Sequence, residues 1–250
     1  MTATTASPPS TSVRLRPITM AILAMGGEGG GVLSDWIVAV AEENGYYAQS
    51  TSVPGVAQRT GATVYYVELF PKFIGSERHP EPVLSTMPTP GEVDIVVASE
   101  LMEAGRSIQR GFSTPDRTTL IASTSRTYAM PERTAMGDGR IDSGRLIEAA
   151  LASSMRFIRG DFAKIAQDTG SVISAVLLGA IAGAGVLPFT RERFEDAIRA
   201  SGKGVEPSLL AFSEGFTVAA KPAGQSIDIT IGARPAEVPG EGPDPAEVQR

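Results

Sequence analysis

Residues Ile18–Gly45 read ITMAILAMGGEGGGVLSDWIVAVAEENG, and this stretch decides the fold. Ile18 to Met25 is a nearly continuous apolar run of strand length, the pattern of a strand covered on both faces, as in a parallel sheet. Five glycines then fall within six positions, Gly26 to Gly31, interrupted only by Glu28. Beyond them Val32, Leu33, Trp36, Ile37 and Val40 recur at helical spacing, so one stripe of the next helix packs on the sheet. Asn44-Gly45 supplies its stop, because glycine tolerates the left-handed backbone at a helix end.

Working outward, further strands are expected at YYAQSTSV (46–53), Ala62 to Phe70, Asp94 to Ser99, TTLIAST (118–124) and MRFIRG (155–160). Helices are expected in ELMEAGRSIQRG (100–111), from Arg145 to Ser154, from Phe162 to Gln167, from Val172 to about Ala184, from a Thr190 cap to Ala200, and in PSLLAFSEGF (207–216). Strands alternating with helices, without a repeat period, predict an α/β, Rossmann-like layered domain whose mainly parallel sheet is flanked by helices. Gly179 and Gly183 form a small-residue ridge one turn apart, suited to close approach of a neighbour within the domain or of a partner subunit. The expected organisation is a Pro- and Ser-containing leader (1–16), one domain (17–221) and a Pro/Gly-rich tail (222–250) with one short strand, SIDITIGA.

Composition narrows the function. Hydrophobic residues make up 42% and charged residues 20% of 250, within the globular range. A net charge of −6 leaves no electrostatic footprint for nucleic acid. Without cysteine, the chain supplies neither a disulfide nor thiolates for an iron–sulfur cluster, so any redox centre belongs to another chain. The one histidine, His79 in SERHPEPV, reads as a surface-loop residue, and no metal site is expected. The longest apolar run, Val172 to Leu187, is 16 residues rich in Ala and Gly and reads as a buried helix, not a membrane span. The N-terminus has no apolar signal core, which points to the cytoplasm.

The glycine loop has two readings. Its backbone N–H groups, at the start of a helix, suit a phosphate; equally, glycines make a tight turn or a docking surface. Tyr46 to Gly55 contains no acid for a ribose, which disfavours NAD, and no Lys-Ser or Lys-Thr pair makes it a Walker loop. Glu28 repels a phosphate unless its side chain turns away. A second loop, SVPGVAQRTGATVYYVE (52–68), sets Gln58, Arg59 and Gly61 just ahead of a strand. Arg59 suits bidentate grip of a phosphate or carboxylate, Gln58 orients it, and Gly61 admits a close backbone.

A strand ending in G-x-G-G-Q-G, then a helix, then a G-x-x-Q-R-G-G loop ahead of a strand resembles the gamma domain of the 2-oxoacid:ferredoxin oxidoreductases, most closely the indolepyruvate branch. The first motif stands here as Ala24, Met25, Gly26, Gly27, Glu28 and Gly29, the second as Gly55 to Gly61. Similarity extends through DIVVASELMEAGRSI (94–108), SVISAVLLGAIAGAGVLPFTRERFEDAI (171–198) and GKGVEPSLLAFSEGF (202–216), about Ile18 to Phe216 in all. Ala24 replaces a Gly, Glu28 a Gln, Thr60 a Gly, and Pro54 stands where that branch often has His.

The resemblance implies a subunit of an enzyme that oxidatively decarboxylates an indolepyruvate- or aryl pyruvate-type 2-oxoacid to an acyl-CoA. Thiamine diphosphate and the iron–sulfur clusters are then expected on partner chains: a thiamine-binding alpha-type subunit and, indirectly, ferredoxin. The implied cofactor-binding residues are Gly26, Gly27, Glu28, Gly29, Gln58, Arg59 and Gly61, with Lys203 and Glu206 as secondary candidates and coenzyme A as their ligand. No catalytic residue is assigned to this chain. The other readings are a stand-alone nucleotide or coenzyme A binding module and a purely structural scaffold.

Overall fold

A computed structural model of the chain describes residues 16–53, 62–74, 77–126 and 142–221. Its strands are β1 (Ile18–Met25), β2 (Tyr46–Val53), β3 (Ala62–Pro71), the short pair β4 (Phe73–Ile74) and β5 (Glu77–Arg78), β6 (Ile95–Ala98), β7 (Thr119–Ser123) and β8 (Arg156–Gly160). The helices are α1 (Gly30–Glu43), α2 (Leu101–Gln109), α3 (Ser143–Ala152), α4 (Phe162–Asp168), α5 (Ile173–Ala184), α6 (Arg191–Ala200) and α7 (Val205–Ala219).

Six of these strands form one sheet in the order β2-β3-β1-β6-β7-β8, and β1, β6, β7 and β8 are successive parallel neighbours. The exception is β3, antiparallel to both β2 and β1. Only residues 54–61 join β2 to β3, fewer than the dozen or so that a parallel crossover requires, so the return strand must reverse. The sheet is therefore mixed but mainly parallel, as the alternation of elements predicts.

Alternation along β1 divides the core. Met20, Ile22 and Ala24 face one side, with Leu33, Trp36 and Ile37 of α1, Phe194 of α6 and Phe212 of α7. Ala21 and Leu23 face the other, with Ala104 of α2 and Ala150 of α3. A strand buried on both faces favours apolar side chains, and the one polar residue of ITMAILAM, Thr19, is buried with its hydroxyl donating to Glu92 O at 2.7 Å. Over β3 the second face is crossed instead by the irregular segment after β5, where the buried Glu68 accepts from Ser85 N–H at 2.8 Å and Tyr66 Oη at 2.5 Å. His79 lies in this segment, its ring edge-on to Phe70 at 6.1 Å.

The Gly179–Gly183 ridge packs within the domain. A β-carbon on Gly179 would overlap the Phe212 carbonyl, one on Gly183 the Phe216 carbonyl, and one on Gly215 the Val176 carbonyl. Glycine on both sides lets α5 and α7 touch backbone to backbone. Arg156 closes the far end of this pair, donating to Ala184 O at 2.7 Å and Ala219 O at 3.4 Å. Thr190 holds the cap position of α6, but its side chain makes no capping hydrogen bond to the helix backbone, contrary to the expected role. Arg16, the last residue of the expected leader, forks onto Asp94 at 2.7 and 2.9 Å. The tail with SIDITIGA lies outside the described residues.

Candidate functional site

β1 and β6 are parallel neighbours whose following helices leave toward opposite faces, α1 toward one core and α2 toward the other. Such divergence opens a crevice at the carboxyl ends of the two strands, the usual ligand position in open α/β sheets. The glycine loop forms one lip of it and Ser99, directly after β6, the other.

Within the loop, Gly27 (φ 88°) and Gly29 (φ 73°) adopt the left-handed backbone that side chains disfavour. Gly29 caps α1 without a side chain, and the first turn of α1 contains no acid, so no acidic side chain of that turn offsets the partial positive charge of this helix N-terminus. Gly30 is needed for packing: a β-carbon there would lie 2.6 Å from Ala24 Cβ and 2.6 Å from the Tyr65 ring. Gly31 has ordinary room, with Tyr65 at 3.6 Å.

Glu28 does turn away from the helix. Its Oε2 accepts from Met25 N–H at 3.0 Å and from the Ser99 hydroxyl, while Met25 N–H lies 3.2 Å from Ser99 Oγ. Ser99 is buried and its own N–H donates to Leu23 O at 3.0 Å. The carboxylate thus spans the crevice and points to Met25 and Ser99 instead of the α1 N-terminus, which answers the objection that Glu28 repels an anion there.

Gln58, Arg59 and Gly61 lie outside the described residues, but the strands that flank them are defined. Ala62, the first residue of β3, pairs with Met25, the last of β1, and Val53 at the end of β2 pairs with Val64. Both ends of the 54–61 connection therefore emerge at the glycine-loop end of the sheet.

Two helix starts arrive at the same end. Ser174, in the first turn of α5, is fully buried with its Oγ unpartnered, and sits where a β-carbon on Gly29 would come within 2.8 Å of it. Ser171, just before α5, lies 3.3 Å Oγ to Oγ from Ser208 of α7. Lys203 and Glu206 are exposed around the α7 start, Glu206 in its first turn.

On the α2 side, Glu100 caps its helix by accepting from Glu103 N–H at 3.0 Å, and Glu103 pairs with Arg106. Burial pushes the Glu103 carboxyl up to about 6, partly opposed by Arg106 and reinforced by Glu100. Sequence reasoning missed Ser99, Ser174 and this carboxylate pair as parts of the site. A polar residue at the carboxyl end of a buried strand, as in DIVVAS, is the signal that marks Ser99; nothing local marks Ser174, which lies in an apolar helix.

Comparison with known proteins agrees with this architecture. Residues 19–218 match the family described as pyruvate ferredoxin/flavodoxin oxidoreductase. Indolepyruvate oxidoreductase subunit IorB of Pyrococcus horikoshii is 25% identical over 211 residues, 82% of this chain and 97% of that protein. Among solved structures, the pyruvate oxidoreductase subunit PORC of Thermotoga maritima superposes with a TM-score of 0.55 at 16% identity, over 80% of this chain and 96% of that one. The gamma subunit of a keto/oxoacid ferredoxin oxidoreductase from Geobacter sulfurreducens gives 0.53 at 16%, over 80% and 97%. A 2-oxoglutarate:ferredoxin oxidoreductase from Magnetococcus marinus, solved with 2-oxoglutarate, coenzyme A and succinyl-CoA, gives 0.56 at 15%, and there the match covers 81% of this chain but 31% of the longer one.

Proposed function

The chain belongs to the pyruvate ferredoxin/flavodoxin oxidoreductase family, and from that premise we propose that it is the gamma-type subunit of a cytoplasmic, thiamine-diphosphate-dependent oxidoreductase converting an aryl pyruvate-type 2-oxoacid to an acyl-CoA. Thiamine diphosphate supplies the decarboxylation chemistry from a partner chain. Iron–sulfur clusters do not fit this chain, which has no thiolate to hold them. Coenzyme A fits: the α1 cap residue Gly29 makes no side-chain capping bond, the first turn lacks acids, and Glu28 is folded away from it. In this reading Gly26, Gly27 and Gly29 take a phosphate of coenzyme A on backbone N–H groups, and Arg59, with Gln58 and Gly61, grips it from the second loop. Glu28 shapes the loop. The subunit's contribution is to orient the thiol donor and keep water from the reacting carbon.

The observation that carries the reading is the Met25–Ala62 pairing, which brings the exit of the arginine-bearing loop to the end of the glycine-bearing strand. The test is coexpression with a thiamine-binding partner subunit and assay of coenzyme A-dependent turnover. The chain should copurify with that partner and be inactive alone, and Arg59→Ala should raise the KM for coenzyme A about tenfold or more while the complex still assembles. Full activity from the isolated chain, or an Arg59→Ala complex with unchanged coenzyme A kinetics, would refute the assignment.

A further inference from the structure

The crevice between β1 and β6 is spanned by a side chain of the protein itself. One oxygen of Glu28 accepts both the Met25 N–H and the Ser99 hydroxyl, groups 74 residues apart in sequence, one at the end of β1 and the other directly after β6. Glu28 also closes the turn that Met25 begins, its N–H donating to Met25 O at 3.1 Å. The glycines on either side have no side chain to hold the loop, and two of them sit at positive φ. Left to themselves, such residues sample many conformations.

We propose that Glu28 is the positioning residue of this loop: a latch to Ser99 that holds the glycine turn in one conformation before any ligand arrives. This deepens the coenzyme A reading and rests on it for the identity of the ligand, but not for the latch. A preorganised loop binds more tightly because its ordering cost is met in the free protein. What the latch requires is an acceptor at this position, not a charge. A glutamine, the residue at the corresponding place in the motif this loop resembles, presents an amide oxygen to the same two donors; an alanine presents nothing.

The test uses the complex of the full-length chain with its thiamine-binding partner, and the Glu28→Ala, Glu28→Gln and Ser99→Ala variants of that complex, with two measurements: amide hydrogen exchange of the segment from Met20 to Gly31, and calorimetric titration with coenzyme A. Glu28→Ala and Ser99→Ala should each speed exchange at Met25 to Gly29 about tenfold and weaken coenzyme A by a similar factor. The double variant should be no worse than Glu28→Ala, since both remove one interaction. Glu28→Gln should restore exchange and affinity to within about threefold of the parent. If coenzyme A gives no heat with the parent complex, yet Glu28→Ala alone quickens the loop and Glu28→Gln slows it again, the latch stands and the ligand assignment falls. Exchange at Met25 unchanged in Glu28→Ala, or tighter coenzyme A binding in that variant, overturns the proposal: the first denies the latch, and the second makes Glu28 a competitor for the anion.

Discussion

Replacing the loop glycines one at a time by alanine separates conformation from packing. Gly27→Ala meets no atom within 4 Å, so its cost is that of a left-handed alanine, about 1–2 kcal/mol. Gly30 has an ordinary helical φ, and alanine there would gain up to about 1 kcal/mol of helix propensity. Its β-carbon, however, would stand 2.6 Å from Ala24 Cβ, which is fixed to the central strand, and 2.6 Å from the Tyr65 ring. Overpacking of this kind costs about 1–3 kcal/mol, so the net change is destabilising. Gly31→Ala makes only van der Waals contact with Tyr65, at 3.6 Å, and should gain about 0.5–1 kcal/mol. The neighbouring substitutions Gly30→Ala and Gly31→Ala should therefore differ by about 2 kcal/mol, or roughly 1 M in the urea midpoint. The single tryptophan, Trp36, is buried on α1, so its fluorescence and far-UV circular dichroism report the same transition. Equal losses for Gly30→Ala and Gly31→Ala would show that the strand–helix packing derived for this turn is wrong.

Gly179→Ala should destabilise by about 1–3 kcal/mol or more despite its better helix propensity, because the obstacle is the Phe212 backbone, which no rotamer change relieves; a urea midpoint at or above the parent's would contradict the α5–α7 contact. Glu103 titrates at about 6 in the folded chain against an ordinary 4.5, so the fold binds its proton more tightly than the unfolded chain does. The resulting stability is fully present below pH 4.5 and is lost as pH rises through about 6, amounting to about 2 kcal/mol at about 1.36 kcal/mol per pH unit. Urea titrations between pH 4.5 and 7.5 should accordingly show Glu103→Gln losing this component of the slope, and an unchanged slope would move the effect to another group. Arg156→Ala should cost about 1–2 kcal/mol by freeing the terminal carbonyls of α5 and α7, with Arg156→Lys intermediate, measured in the same way.

Local pattern determined much of this protein. The apolar run from Ile18 to Met25, the glycines after it and the helical stripe from Leu33 to Val40 are each written in consecutive residues, and the strand–turn–helix they specify is the one observed. Periods of 2 and 3.6 reflect backbone geometry that a residue imposes on its near neighbours, which is why the elements and the α/β class were legible. Both motif loops could likewise be read as candidates, since their glycines and arginine are chemically distinctive. Tertiary structure decided the rest. The reversal of β3, the divergence of α1 and α2 around one crevice, and the turning of Glu28 onto a serine 71 residues away depend on which distant segments become neighbours. So does the choice of Phe212, rather than another subunit, as the surface that Gly179 meets. No period in the chain encodes such pairings, because they are settled by burial and hydrogen bonding summed over the whole domain.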